Sequence, residues 1–321
     1  MRAAVFNSHG PAHEVLRIEE IDVPEPGPGE VRVRIAASGV NPTDWKSRSG
    51  ATPRPMGDFQ IPHHDGAGVI DAVGAGVDPS REGQRVWVWL AAAGRPWGTA
   101  AQWSVVPADQ AVPLPDDVSF ELAASLGVPA VTAHRCLFAD GPLEGRNVLV
   151  AGGAGAVGHF AIELAKHAGA RVVATVSGPA KAELAARAGA DLVVNYKDPG
   201  AVEQIRAFAP LDRIVELALG ANLELDLAVS GPQTHIVDYA AEANDPVLPV
   251  RACMTANVTL RFVLLYGVPR PALLQGAADI TRALADGALT ELPATRFALE
   301  EVAAAHDAVQ AGTIGKVLVI P

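Results

Sequence analysis

Residues Gly153-Ala154-Gly155-Ala156-Val157-Gly158 are predicted to form a glycine-rich turn between a strand and a helix, and this turn indicates the fold. The apolar, β-prone run 147–152 precedes it, and the amphipathic run 156–168 follows. In that order the glycines allow a close approach of the backbone to a pyrophosphate, and the helix N-terminus faces the anion. A chain with 31 glycines can produce a lone GxGxxG pattern by chance, so a purely structural turn is the alternative. The flanking strand and helix favour a dinucleotide site.

Outward from this turn, short β-prone runs alternate with amphipathic helical runs. The further strand candidates are residues 171–176, 192–195, 212–218, 234–240 and 257–265. Strands that alternate with helices form parallel sheets covered by helices on both faces. The sequence therefore predicts an α/β fold with a Rossmann, doubly wound parallel sheet of six strands.

The two ends of the chain have a different texture. Residues 2–7, 30–37, 68–73 and 85–90 are β-prone runs separated by Pro and Gly clusters, which predicts an antiparallel, β-barrel-type domain. An apolar stretch at 120–138 is interpreted as two helices around Gly127, and a last strand at 316–320 is expected to return to the first domain. We predict a substrate domain at 1–120, completed by about 266–321, and a Rossmann NADP-binding domain at 121–265.

The composition excludes several classes of partner. Apolar residues make up 49% and charged residues 19% of the chain, the balance of a folded globular protein. A formal net charge of -11 with no basic run disfavours nucleic acid and anionic membranes, and no apolar run reaches membrane-spanning length. The two cysteines are far apart and there is no signal-peptide pattern, so we expect a reducing, cytoplasmic location.

The residues after the second Rossmann strand indicate which cofactor binds. An Asp or Glu about twenty residues beyond the glycine turn would bond the ribose 2′-hydroxyl of NAD and repel a 2′-phosphate. Here Ser177, Gly178 and Lys181 replace that acid, and Tyr196 follows the third strand. The alternative is that Ser177 and Lys181 simply begin a solvated helix. The missing acid favours NADPH.

The order of parts resembles the medium-chain dehydrogenase/reductase superfamily, and more closely its zinc-independent quinone oxidoreductase, zeta-crystallin-like branch. The motifs that carry the resemblance are Ser38-Gly39-Val40-Asn41-Pro42-Thr43-Asp44-Trp45-Lys46, Asp65-Gly66-Ala67-Gly68-Val69-Ile70-Asp71-Ala72-Val73-Gly74, Leu126-Gly127-Val128-Pro129-Ala130-Val131-Thr132-Ala133, the glycine turn, and Gly312-Thr313-Ile314-Gly315-Lys316-Val317. They span nearly the whole chain. The resemblance implies a GroES-like N-terminal domain and a homodimer formed through the edge of the Rossmann sheet.

The same motifs bear on a metal site. Zinc-dependent members of the superfamily supply Cys, His and Cys at positions that here hold Asn41, His64 and Val128. Tetrahedral zinc needs three protein ligands, which an amide, one imidazole and a valine do not provide. Adjacent histidines on an extended chain point apart, so His63 and His64 are not expected to chelate together. We predict no metal.

The resemblance also implies the site residues. The candidate catalytic residues are Asn41, Lys46, His64 and Thr132, with Asn41 and Thr132 beside the nicotinamide and His64 lining the substrate pocket. The candidate cofactor residues are Gly153, Gly155, Ala156, Val157, Gly158, Ser177, Gly178, Lys181, Tyr196, Leu264, Leu265, Tyr266 and Lys316. Lys46, where the branch often has tyrosine, either stabilises an enolate oxygen or extends to solvent. The role of His134, another position that is often tyrosine, is open.

Together these features predict an NADPH-dependent, zinc-independent reductase that transfers hydride to a quinone, enone or enal. Such an acceptor spreads the arriving charge onto a carbonyl oxygen, so hydrogen-bond donors suffice and no Lewis acid is required. One alternative is a cofactor-binding redox sensor or scaffold with little turnover. A zinc-dependent alcohol dehydrogenase is a further alternative, although it requires ligands that the chain lacks.

Overall fold

The computed structural model describes residues 1–242 and 244–321, and the chain divides into two compact units. Unit 1 comprises Met1–Val128 and Glu291–Pro321, and unit 2 comprises Pro129–Thr290. The sequence placed the boundaries near residues 120 and 265 instead. The second difference arises because the helix at Arg270–Ala285 packs against the helix that follows the glycine turn, and so belongs to unit 2.

The strands in chain order are β1 (Arg2–Val5), β2 (Arg17–Glu20), β3 (Glu30–Val40), β4 (Asp65–Val73), β5 (Arg85–Val88), β6 (Trp103–Pro107), β7 (Ala111–Pro113), β8 (Asn147–Val150), β9 (Arg171–Val176), β10 (Leu192–Asn195), β11 (Leu211–Glu216), β12 (Ser230–Asp238), β13 (Thr259–Phe262), β14 (Ala294–Ala298) and β15 (Lys316–Ile320). The α-helices are α1 (Ala12–Val15), α2 (Pro42–Ser49), α3 (Phe120–Ala123), α4 (Gly127–Phe138), α5 (Ala156–His167), α6 (Pro179–Arg187), α7 (Ala201–Arg206), α8 (Leu219–Val229), α9 (Val250–Ala256), α10 (Arg270–Ala285) and α11 (Val302–Gln310). Short 3₁₀ helices lie at Pro79–Arg81, Ala108–Gln110, Leu265–Gly267 and Leu299–Glu301.

Unit 1 is built on a mostly antiparallel sheet. Its strand order is β14-β15-β3-β4-β5-β7, with β6 paired to β3, and only β14 and β15 run parallel. The last strand returns to this unit as predicted and pairs with β3 in a register that sets Val317 opposite Val40. This register brings the start of β15 beside the end of β3, and that end is where the candidate catalytic residues begin.

Unit 2 contains a sheet of six strands that are all parallel. The order is β10-β9-β8-β11-β12-β13, which numbered within the sheet is 3-2-1-4-5-6, the order of a dinucleotide-binding fold. Buried aliphatic residues such as Leu149, Val173 and Ile214 fill its core. The predicted doubly wound sheet of six parallel strands is confirmed, and all six carboxyl ends lie at one edge.

One detail of the predicted parallel sheet differs from the structure, whereas the two helices expected at 120–138 are present. The last parallel strand covers Thr259–Phe262 rather than 257–265, because Asn257 has a positive φ of 51° that ends α9, and a 3₁₀ turn begins at Leu265. The apolar stretch 120–138 holds two helices, α3 and α4. Within 1–242 and 244–321, no helix has both the length and the apolarity needed to cross a membrane.

Candidate active site

The glycine turn in unit 2 is tightly packed on its inner side and open on its outer side. A Cβ on Gly158 would lie 2.3 Å from the carbonyl oxygen of Gly152, and one on Gly153 would lie 2.8 Å from the Ala174 methyl. A Cβ on Gly155 would meet only the Gly152 oxygen, at 3.4 Å. Gly155 is also the N-cap of α5 and provides no side-chain cap, so the first N–H groups of the helix are available to an anion. Ala156 and Val157 form its first turn, and the site suits a pyrophosphate.

The predicted 2′-phosphate residues lie together at the carboxyl edge of the sheet. Ser177 and Gly178 join β9 to α6, and Lys181 lies in the first turn of that helix. The backbone N–H of Tyr196 donates to the carbonyl of Val176 over 3.1 Å, which holds the tyrosine beside the end of β9. The hydroxyl, ammonium and phenol at this edge suit an anionic 2′-phosphate, and no acid follows Val176 in sequence before α6.

The remaining predicted residues of unit 2 are more dispersed. Leu264, Leu265 and Tyr266 follow β13, which lies three strands away from β8 along the same edge. The Leu265 side chain is buried, whereas Leu264 is 70% exposed. Thr132 is a buried residue of α4, and so is His134, whose Nε2 lies 3.0 Å from Oδ2 of Asp279. His134 lines a separate cavity of about 280 Å³ between α4 and α10.

In unit 1 four polar side chains, which we call the Asp65 cluster, meet below the protein surface: Asn41, Asp44, Asp65 and Lys316. The Asn41 amide donates from Nδ2 to Oδ2 of Asp65 over 2.6 Å, and its Oδ1 accepts from Nζ of Lys316 over 2.7 Å. The same Lys316 ammonium lies 3.5 Å from Oδ2 of Asp65. Asn41 is the N-cap of α2, and its backbone N–H donates to Asp44 Oδ2 over 2.7 Å. The amide thus bridges a carboxylate and an ammonium.

Burial determines the electrostatics of this cluster. Asp65 is 0% and Lys316 is 2% exposed. Burial raises the pKa of Asp65, and the charge of Lys316 opposes that rise; burial lowers the pKa of Lys316, and Asp65 opposes that fall. The second carboxylate oxygen, Oδ1 of Asp65, accepts the backbone N–H of Val128 over 2.7 Å. A Cβ on Gly127 would lie 2.1 Å from that oxygen, so this position requires glycine.

The buried carboxyl of Asp44 has a pKa far above its ordinary value. Burial raises its pKa to about 7, and the negative charge of Asp65 adds to the rise. The backbone hydrogen bond from Asn41 and the charges of Lys316 and Arg54 act in the opposite direction. Near neutral pH this group therefore exchanges between acid and carboxylate.

The candidate residue His64 is held by an arginine. Nη1 of Arg54 lies 2.8 Å from Nε2 of His64, and Nη2 donates to Oγ1 of Thr43 over 2.9 Å. Burial, with the Arg54 charge, lowers the pKa of His64 to about 3, so the imidazole is neutral and Nε2 accepts the arginine N–H. His63 has different partners, Ser38 at 2.8 Å and His306 at 3.0 Å.

The donor atoms at the zinc positions of the superfamily are already engaged with cations. Oδ1 of Asn41 accepts from Lys316, Nε2 of His64 accepts from Arg54, and the Val128 side chain has no donor atom. Among the residues that the structure describes, no group of three or more His, Cys, Asp or Glu is placed to hold a metal. Tetrahedral zinc requires three such ligands. These residues do not fit a zinc ion.

Lys316 and Lys46, both candidate site residues, have surroundings that the sequence did not indicate. Lys316, predicted to contact the cofactor, has its ammonium buried in the Asp65 cluster. Lys46 lies two residues beyond Asp44 on α2, a spacing that turns the side chains to different faces, and its ammonium lies 6.0 Å from the Trp45 ring centroid. Sequence reasoning did not identify Asp65 or Arg54 as site residues. The available signals for Asp65 were its adjacency to His64 and its place at the start of the motif 65–74.

Comparison with known proteins places both units in recognised families. Residues 27–116 match the alcohol dehydrogenase GroES-like domain, which confirms the predicted N-terminal domain, and residues 156–281 match the zinc-binding dehydrogenase family. A quinone oxidoreductase of Rattus norvegicus is 28% identical over an alignment of 328 residues, covering 100% of this chain and 98% of the relative. A mycobacterial protein solved in complex with NADPH is 30% identical, with a TM-score of 0.85 and 100% of both chains covered. A structure described as an NAD-dependent alcohol dehydrogenase is 27% identical, with a TM-score of 0.90 and 100% of both chains covered.

Replacing Asp44 with Asn tests the electrostatics of the cluster. The folded pKa of about 7 exceeds the ordinary 3.8, so the stability that Asp44 contributes is complete at low pH and is lost as pH rises through 7. The Asp44→Asn variant has no such loss. Between about pH 5 and about pH 8, we expect the unfolding free energy of Asp44→Asn to rise relative to that of wild type by on the order of a few kcal/mol.

The measurement is a denaturant titration followed by tryptophan fluorescence, because all five tryptophans lie in unit 1. The matched control is Asp58→Asn, since Asp58 is exposed in the same unit. A difference between Asp44→Asn and wild type that stays constant over this pH range would contradict the assignment.

Proposed function

Because the chain belongs to the medium-chain dehydrogenase/reductase superfamily, alongside its quinone oxidoreductases, we propose that it is an NADPH-dependent, zinc-independent reductase of quinones or α,β-unsaturated carbonyls. The observation that carries the proposal is the Asp65 cluster with its neighbour His64. Lys316 bonds Oδ1 of Asn41 and Arg54 bonds Nε2 of His64. These are the donor atoms present at the zinc positions of the superfamily. A site with fixed cations and no Lewis acid suits acceptors that delocalise negative charge onto an oxygen.

The proposed cofactor site lies at the carboxyl edge of the parallel sheet in unit 2. The glycine turn and the start of α5 hold the pyrophosphate, and Ser177, Lys181 and Tyr196 hold the 2′-phosphate. The bound cofactor supplies the hydride. The NADPH complex of the mycobacterial relative supports this choice, and the NAD-dependent relative makes NADH the alternative to test.

In this proposal the protein residues orient the reactants and support charge. Asn41 and Thr132 are assigned to the nicotinamide end of the cofactor. The bond from Lys316 to Oδ1 of Asn41 fixes the orientation of the amide, because only the amide oxygen can accept a hydrogen bond from the ammonium. Hydride reaches the electron-poor carbon of the acceptor, and the proton that completes the reduction comes from water or a weak acid.

A panel of quinones, enones and enals tests the activity. We expect acceptor-dependent loss of NADPH absorbance with at least one class, and the same rate after treatment with a zinc chelator, because no protein ligand set for zinc is present among the described residues. Tight NADPH binding without turnover on any acceptor would instead favour the sensor or scaffold reading. Chelator-sensitive activity with stoichiometric zinc would favour an alcohol dehydrogenase.

The choice of NADPH has its own test in Lys181→Ala. Loss of a charge-assisted bond to the 2′-phosphate should weaken NADPH binding by about tenfold or more and leave NADH binding unchanged. Cofactor titrations by isothermal calorimetry measure both. Arg187→Ala is the matched control, because Arg187 is an exposed cation at the other end of the same helix. Equal affinity of the wild type for the two cofactors would refute the preference.

We assign the homodimer interface to the free edge of β13. Among the strands that the structure describes, β13 pairs with β12 alone. The residues on and beside it include Phe262 (65% exposed), Leu264 and Met254 (both 70% exposed). An unpaired strand edge with exposed apolar side chains is a template for pairing with another strand. Two copies of β13 related by a twofold axis would continue the sheet.

The variant Phe262→Asp tests this interface. A carboxylate at the centre of an apolar contact should convert the dimer to a monomer, because the charge would have to leave water. Light scattering during size-exclusion chromatography measures the mass. The control is Ile320→Asp, an exposed apolar residue of unit 1. A wild-type chain that is monomeric at all concentrations would overturn the assignment.

A further inference from the structure

The segment after α2 presents Arg54 on a restrained backbone. Arg54 lies between Pro53 and Pro55, so its neighbours have fixed φ angles and its own backbone is confined to extended conformations. Hydrogen bonds fix both ends of the segment. The Thr52 N–H donates to the carbonyl of Lys46 over 3.1 Å, and Gln60 exchanges bonds of 2.8 and 3.0 Å with Phe6. The side chain therefore starts from a defined position.

Its guanidinium group is also oriented. The contacts with Nε2 of His64 (2.8 Å) and Oγ1 of Thr43 (2.9 Å) involve two different nitrogens of one planar group, which sets the plane. An arginine has five N–H donors, so one guanidinium group can hold several acceptors at once, and a substrate oxygen can be among them. His64 contributes no competing charge, because it is neutral. The geometry is that of a preorganised donor rather than a flexible surface cation.

Comparison of the cations in this region favours Arg54 as the one that meets a substrate. Lys316 is 2% exposed and is already bonded to Asn41 and paired with Asp65. The Lys46 ammonium lies 6.0 Å from the Trp45 ring centroid, and on α2 its spacing from Asp44 places the two side chains on different faces. Arg54 is half-buried and adjoins the cluster through Thr43, which directly precedes Asp44. Partial burial strengthens its interaction with an oxyanion and still leaves it accessible.

We propose that Arg54 is a catalytic residue that donates hydrogen bonds to the carbonyl oxygen of the acceptor and stabilises the negative charge that develops there. The inference rests on the proposed function. In an enone the β-carbon receives the hydride, the C=C electron pair forms the enolate double bond, and the carbonyl π pair moves onto oxygen. A proton from water then reaches the α-carbon, giving a saturated ketone and NADP⁺. In this step Arg54 donates hydrogen bonds and transfers no proton.

The variants Arg54→Gln and Arg54→Lys test the role. Loss of one oxyanion donor typically costs about 10²- to 10³-fold in kcat, and we expect a loss of that order with enones for Arg54→Gln and a smaller loss for Arg54→Lys. NADPH affinity and the unfolding midpoint of unit 1 should match wild type. The control is Arg34→Gln, which removes an exposed cation of the same unit and should leave kcat unchanged.

Chemical rescue separates this role from a structural one. Millimolar guanidinium ion should restore part of the kcat of Arg54→Ala on enones, whereas urea at the same concentration should not, because urea lacks the charge. If the wild type is active and Arg54→Gln leaves kcat on enones unchanged, or if urea rescues Arg54→Ala as well as guanidinium does, this inference is overturned. The proposed function would still stand. A wild type that binds NADPH and reduces no acceptor would overturn the proposed function, and this inference with it.

Discussion

A buried ammonium and a buried carboxylate cannot stay charged in a protein interior unless each has partners, and this requirement organises unit 1. Lys316 and Asp65 satisfy it through Asn41 and through the backbone N–H of Val128. Removing one partner of a buried pair leaves an uncompensated charge, which costs about 3–5 kcal/mol. The strand pairing that joins β15 to β3, the glycine at 127 and the N-cap of α2 all have to be in place for the charges to be paired.

The same electrostatics account for the histidines nearby. His64 faces a guanidinium, while His63 and His306 share a contact deep in the unit. Burial lowers the pKa of all three, so they act as neutral hydrogen-bonding groups rather than as acids. Positive charge in this region is therefore carried by Lys316 and Arg54, whose positions are fixed by bonds. Fixed positive charge near a forming oxyanion stabilises it more than neutral hydrogen-bond donors alone, and that is the arrangement proposed for this protein.

The sequence predicted the Rossmann sheet well because its signals are local. The strand before Gly153, the turn and α5 adjoin one another in the chain, and hydrophobic periodicity identified most of the neighbouring strands. The sequence prediction made β13 too long, because α9 ends at Asn257, a single residue in the left-handed conformation. The Asp65 cluster was outside its reach, because residues 41, 65 and 316 meet only through long-range strand register. Arg54 carries no periodic pattern, and its position becomes meaningful only once His64 and Thr43 are seen beside it.

The place of Lys316 in the chain has a consequence for the order of folding. Unit 2 is one continuous segment, Pro129–Thr290, and its contacts can form as soon as that segment exists. Unit 1 is interrupted by it, and the ammonium that neutralises Asp65 lies some 250 residues after the carboxylate, on a strand that is synthesised after unit 2. Contacts between such distant residues are slow to form. During synthesis Asn41 and Asp65 therefore lack the ammonium of Lys316 until after unit 2 has been made, and by then unit 2 is already able to fold.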